Sequence, residues 1–268
     1  METSGLLFAF TITALAGLST TVGSMIALFT KKSNKKFLSL SLGFSAGVMI
    51  YVSMIEIFFK AQESLVGELG LKLGSLINVI AFFGGMFFIG LIDKLIPSFE
   101  ENVHKETTSS TDEKSKDEKR LLRMGMFTAL AVAIHNFPEG FATLISTLRD
   151  PALGVSIAIA IAIHNIPEGI AVSVPIYYAT GSRSKAFFYS FLSGIAEPIG
   201  ALIGYLILAP FMTEVVFGIV FASVGGIMVY ISLDQLLPAA RDYGDHHLSV
   251  YGTILGMIVM AISLVLLA

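Results

Sequence analysis

The chain has 268 residues, of which 54% are hydrophobic and only 14% are Asp, Glu, Lys or Arg, about half the charged share of an ordinary soluble domain. A net charge of −3 offers no basic surface to nucleic acid, and the lack of cysteine rules out disulfides and thiolate metal sites, leaving nitrogen and oxygen ligands. With a mean hydropathy of +0.80 and no glycine-rich phosphate loop for ATP, the sequence is that of an integral membrane protein.

About 20 predominantly apolar residues are needed for a helix to cross the hydrocarbon core. Eight segments meet that requirement, in chain order roughly 5–30, 37–59, 74–97, 121–147, 152–178, 186–209, 213–236 and 249–268. The opening METSG lacks the basic flank of a secretory signal and runs directly into the first of them. Ser19, Thr20, Thr21, Gly23 and Ser24 in span 1, with Gly43, Ser45 and Gly47 in span 2, predict close helix contacts. Glu56, near the outer end of span 2, reads equally as an entrance for cations or as an interfacial carboxylate. Asp93 and Asp234, near the inner ends of spans 3 and 7, read as interfacial caps or as partners of Lys94 and polar neighbours. Residues 98–120 are polar and low in complexity, the composition of a disordered loop.

Lys and Arg set the orientation. Lys31, Lys32, Lys35 and Lys36 lie between spans 1 and 2; Lys105, Lys114, Lys116, Lys119, Arg120 and Arg123 lie between or flank spans 3 and 4; Arg183 and Lys185 follow span 5, and Arg241 follows span 7. The alternate loops hold only Lys60, Lys72 and Arg149. The first set faces the cytoplasm, so both termini face outside. His246 and His247 then fall in a cytoplasmic loop, as solvated residues or as receivers of an exiting metal.

The chemistry is concentrated in spans 4 and 5. AIHNFPEGFA (133–142) and AIHNIPEGIA (162–171) place one motif twice inside apolar sequence. On a helix, His135 and Glu139 share a face, as do His164 and Glu168. Pro138 and Pro167 lack an N–H, so the carbonyls of Ile134 and Ile163 lose their helical partners. Gly140 and Gly169 remove bulk beside the carboxylates. Antiparallel neighbours carrying these motifs near the midplane bring two imidazoles, two carboxylates and the amides of Asn136 and Asn165 together. SGIAEPIG in span 6 adds Glu197. No Lys or Arg stands mid-span to balance the acids, and an ionisable group there costs about 2.5–3.5 kcal/mol. A bound divalent cation compensates best, and imidazole with carboxylate suits Zn²⁺, Fe²⁺ or Mn²⁺.

With the paired motif, eight spans, outward termini and a longer loop after span 3, the whole chain resembles the ZIP family of metal-ion transporters. The resemblance implies uptake of zinc and other divalent ions, such as Fe²⁺, Mn²⁺, Co²⁺ or Cd²⁺, into the cytoplasm across the cell (inner) membrane. It implies an all-α fold forming one transporter domain over 1–268, with the first and last three spans as inverted repeats (3+2+3). It also implies a binuclear site whose ligands, carried over by motif position, are His135, Asn136, Glu139, His164, Asn165, Glu168 and Glu197. No catalytic cofactor is expected; the partners are the transported ions and the bilayer, and a glycine-rich lipid-facing helix would allow a homodimer. Many relatives have a histidine-rich loop after span 3, where this chain has only His104. The rival reading is an intramembrane zinc hydrolase. It lacks a His-Glu-x-x-His helix, and two near-identical half-sites suit an ion path better than one nucleophilic water.

Overall fold

The computed structural model describes residues 3–29, 34–95, 111–149, 151–208, 211, 213–242 and 246–267. Among them there is no strand. They form α1 (Thr3–Leu28), α2 (Lys35–Leu69), α3 (Leu71–Leu95), α4 (Thr111–Arg149), α5 (Pro151–Thr180), α6 (183–208), α7 (Glu214–Asp242) and α8 (His246–Leu267). Helix starts follow side-chain capping. Asn34 Oδ1 accepts from Phe37 N at 3.1 Å, Ser182 Oγ from Lys185 N at 3.3 Å, and Thr213 Oγ1 from Val216 N at 3.2 Å. The turns after α2 and α5 need a left-handed residue, supplied by Gly70 (φ 78°) and Gly181 (φ 68°).

Seven of these helices are long and apolar enough to cross a membrane. The exception is α4, which opens with the polar run TDEKSKDEKR and carries His135, Asn136 and Glu139 in its apolar part. The protein is an all-helical, multi-pass membrane protein, and its surface agrees. Phe83, Phe87 and Leu91 on α3, and Ile258, Ile262 and Val265 on α8, are exposed apolar side chains, as expected where lipid is the solvent.

Two expectations change. Of the stretch expected to be disordered over 98–120, residues 98–110 lie outside the described residues, and from Thr111 onward the chain is helical. Glu and Lys favour helix as readily as they favour disorder, and Arg120 is fixed by an ion pair to Asp242 of α7 at 2.6 Å. Asp93 pairs not with Lys94 but with Arg123 of α4, at 3.3 Å. Adjacent helical residues diverge by about 100°, so Asp93 and Lys94 cannot face the same neighbour.

The helices sort into two bundles. In one, α1 and α4 each pack on both α5 and α6. In the other, α2 packs on α8, α7 packs on α3, and α2 also touches α3 and α7. Close approach is set by glycines whose Cβ would meet a neighbouring backbone: Gly47 lies on Thr253 of α8, and Gly226 on Phe82 of α3. These two positions expose a likeness: GVMIYVSMIEI (47–57) in α2 and GIMVYISLDQL (226–236) in α7. Each segment ends in a π-helical turn, 53–57 and 232–236. Each turn starts at a serine that bonds back one turn, Ser53 Oγ to Met49 O at 2.6 Å and Ser232 Oγ to Met228 O at 2.8 Å. The bundles meet mainly where α2 crosses α5 and α4 crosses α7.

Candidate metal centre

Both copies of the motif lie within unbroken helices, Pro138 inside α4 and Pro167 and Pro175 inside α5. At Pro167, α5 is tied to the other bundle, because Ser45 Oγ of α2 donates to Pro167 O at 2.7 Å. Gly140 seats α4 on the backbone of Glu197 in α6, and Gly169 seats α5 on the backbone of Thr20 in α1. A side chain at either glycine would push the helices apart.

This packing brings all seven sequence-derived residues into the interior: His135, Asn136, Asn165, Glu168 and Glu197 are 0% exposed, His164 is 3% and Glu139 is 7%. The motifs interlock across α4 and α5. His135 Nε2 lies 3.0 Å from Glu168 Oε1, and His164 Nε2 lies 3.0 Å from Glu139 Oε1. An ionised carboxylate only accepts, so each imidazole N–H donates to the acid of the other helix. Asn136 Nδ2 donates to Ser193 O at 3.2 Å; Asn165 Nδ2 donates to Ala16 O at 3.0 Å and to Glu197 Oε2 at 2.9 Å.

What these bonds leave over is as informative. Every one of the seven keeps one buried polar atom without a partner: His135 Nδ1, Asn136 Oδ1, Glu139 Oε2, His164 Nδ1, Asn165 Oδ1, Glu168 Oε2 and Glu197 Oε1. Each such atom costs about 1–3 kcal/mol, and their concentration between α4, α5 and α6 suits a ligand that consumes lone pairs. Among the described residues no three His, Asp or Glu side chains converge as a ready-made cage. The imidazole–carboxylate pairs occupy these positions instead.

A cavity of about 750 Å³ connects this centre to one end of the molecule. It lies between the bundles, with Glu139 and His164 at its base and Glu56, Lys60, Glu63, Ser64 and Glu214 towards its mouth. Glu56 therefore lines an approach to the centre, and it is ion-paired with Lys60. Sequence reasoning missed Lys60 and Glu63, although Glu56, Lys60 and Glu63 follow the four-then-three spacing of one helix face. At the opposite end of α4 the bundles are joined by the Arg120–Asp242 and Arg123–Asp93 pairs. His247 is exposed, with its ring 6.3 Å from that of Tyr251. The His246 side chain and His104 lie outside what the structure describes.

Comparison with known proteins gives the family. The model of the ZIP zinc transporter family matches residues 98–264. The zinc transporter ZupT of Chlorobium chlorochromatii (strain CaD3) is 60% identical over 265 residues, 98% of this chain and 99% of that protein. ZupT of Streptococcus mutans serotype c is 62% identical over 258 residues (96% and 97%). ZupT of Clostridium perfringens (strain 13 / Type A) is 58% identical over 277 residues (98% and 97%). With a family model over most of its length and relatives of this identity end to end, the chain belongs to the ZIP zinc transporter family.

Proposed function

We propose that the chain takes up Zn²⁺, and with it other divalent cations such as Fe²⁺ and Mn²⁺, into the cytoplasm across the inner membrane. It is a transporter and not an enzyme, so the hydrolase alternative falls away. The observation that carries the reading is the partnerless polar atom on every one of the seven residues, two of which, Glu139 and His164, line the inter-bundle cavity. His135, Asn136, Glu139, His164, Asn165, Glu168 and Glu197 form a binuclear site. Each central carboxylate bridges an imidazole side, suited to Zn²⁺, and an all-oxygen side, suited to harder ions.

In this reading α4 is the eighth span, the whole chain is one transporter domain, and both termini face outside. The likeness of α2 to α7 supports the inverted 3+2+3 repeat. The Lys/Arg asymmetry puts Arg120, Arg123, Arg183 and Arg241 on the cytoplasmic side, so the cavity opens outward and the arginine pairs close the inner end. Passage then requires the bundles to shift against one another around a midplane site. The test is uptake of isotopic zinc, iron and manganese into proteoliposomes of the purified protein. Saturable flux that Glu168→Ala abolishes supports the proposal; flux equal to that of protein-free vesicles refutes it.

A further inference from the structure

The metal centre has an internal two-fold relation that one position breaks. LAGLSTTVG (15–23) in α1 matches LSGIAEPIG (192–200) in α6, pairing Gly17 with Gly194, Thr20 with Glu197 and Gly23 with Gly200. The packing obeys the same exchange. A Cβ on Gly17 would meet Gly194 O at 2.6 Å, and one on Gly194 would meet Gly17 O at 2.5 Å. Gly23 lies on Ile166 O of α5, as Gly200 lies on Phe137 O of α4. Asn165 Nδ2 donates to Ala16 O, as Asn136 Nδ2 donates to its counterpart, Ser193 O.

Within that relation the Cβ of Glu197 stands 2.9 Å from a Cβ built on Gly17, and the Cβ of Thr20 stands 3.1 Å from one built on Gly194. Thr20 is therefore to Asn136 what Glu197 is to Asn165. The longer acid reaches its amide at 2.9 Å. On the other side, the shorter threonine makes no such bond, and Thr20 Oγ1 is buried without a partner beside an Asn136 whose Oδ1, like that of Asn165, is also unpartnered. Three of the six buried threonines among the described residues bond back one turn, Thr13 to Ala9 O, Thr143 to Glu139 O and Thr147 to Thr143 O. For Thr20 that carbonyl, Ala16 O, already accepts from Ser19 Oγ and Asn165 Nδ2. Thr21 and Thr128 are also partnerless, so it is the mirrored placement that singles out Thr20.

We propose that Thr20 is a further residue of the metal centre, the uncharged counterpart of Glu197. Its hydroxyl and the Asn136 carbonyl form a second all-oxygen face for a hard divalent cation, and the absence of an acid there limits the charge the centre can neutralise. The proposal rests on the metal-centre reading above and deepens it. Gly194 beside Thr20, like Gly17 beside Glu197, leaves room for the longer side chain.

The experiment transposes the acid across the two-fold. Mn²⁺ and Zn²⁺ binding is measured by equilibrium dialysis on purified full-length protein carrying Thr20→Val, Glu197→Thr, or Thr20→Glu with Glu197→Thr. Glu197→Thr is expected to weaken Mn²⁺ binding about tenfold or more, and the double variant to recover to within about threefold of wild type. Thr20→Val, equal in shape, is expected to weaken Mn²⁺ about fivefold and leave Zn²⁺ within about twofold. A double variant as weak for Mn²⁺ as Glu197→Thr alone while Zn²⁺ binding is intact, or a Thr20→Val indistinguishable from wild type, overturns the proposal. If wild type binds neither ion, the metal-centre reading itself fails.

Discussion

Glu168→Gln separates the charge of the centre from its packing. Glu168 is fully buried, its Oε1 is 3.0 Å from His135 Nε2, and its Oε2 has no partner. A glutamine of the same shape keeps a carbonyl oxygen for the imidazole N–H, so the α4–α5 contact survives. What disappears is one full negative charge and the second acceptor oxygen. Hydrogen bonds to charged groups are worth about 1.5–3 kcal/mol, a lower bound for exchanging a carboxylate for an amide on a divalent ion. At about 1.4 kcal/mol per decade, zinc should bind at least about 10-fold more weakly and up to about 150-fold. Competition against a zinc-chelating dye in detergent reads the Kd, with thermal unfolding as the check on folding. Glu68→Gln makes the same charge change on the exposed end of α2 and should leave the Kd unchanged. A Glu168→Gln protein that folds normally and binds zinc within about threefold of wild type would refute the assignment of Glu168 as a ligand.

His164→Ala should depress zinc transport more than manganese transport and Glu197→Gln the reverse, as read by the ratio of isotopic fluxes; equal losses for both ions would remove the two-sided site. Arg123→Ala should loosen the inner closure. A surface-type pair worth about 1 kcal/mol shifts the population about fivefold, read as slower labelling of Ser146→Cys in the outer cavity, on a chain with no other cysteine. An unchanged labelling rate would show that the arginine pair does not hold the inner end shut. Replacing 98–110 with a Gly/Ser linker should preserve uptake, since the segment has a single histidine; loss of transport with normal insertion would give the loop a role.

The clustering of the candidate site was legible in the sequence because its chemistry is local. His, Asn, Pro and Glu recur at fixed helical spacing in α4 and α5, and apolar surroundings leave few reasons for them. The cross-pairing of each imidazole with the acid of the other helix was not legible, since a helical wheel places His135 beside Glu139 and says nothing of Glu168. The ends of helices were harder still. TDEKSKDEKR has a composition shared by exposed helices and by disordered linkers, and a long-range ion pair, Arg120 to Asp242, joins it to a helix far along the chain. Asp93 likewise finds Arg123 on another helix rather than its neighbour Lys94. The likeness of α2 to α7 was present in the letters, in GVMIYVSMIEI and GIMVYISLDQL. It escapes a search for polar motifs because it is written in glycines, serines and apolar residues, whose role appears only once the helices pack.

The most direct test of the binuclear centre is to locate the ions. Crystals of the purified protein grown with zinc, with anomalous data collected on both sides of the zinc absorption edge, should show two peaks about 3.5–4 Å apart between α4 and α5. Glu139 and Glu168 should contact both ions, with His135 or His164 on one ion and Asn136, Asn165 or Glu197 on the other. Zinc bound only at the carboxylates of the cavity mouth, with the His135–Glu168 and His164–Glu139 pairs still closed, would contradict it.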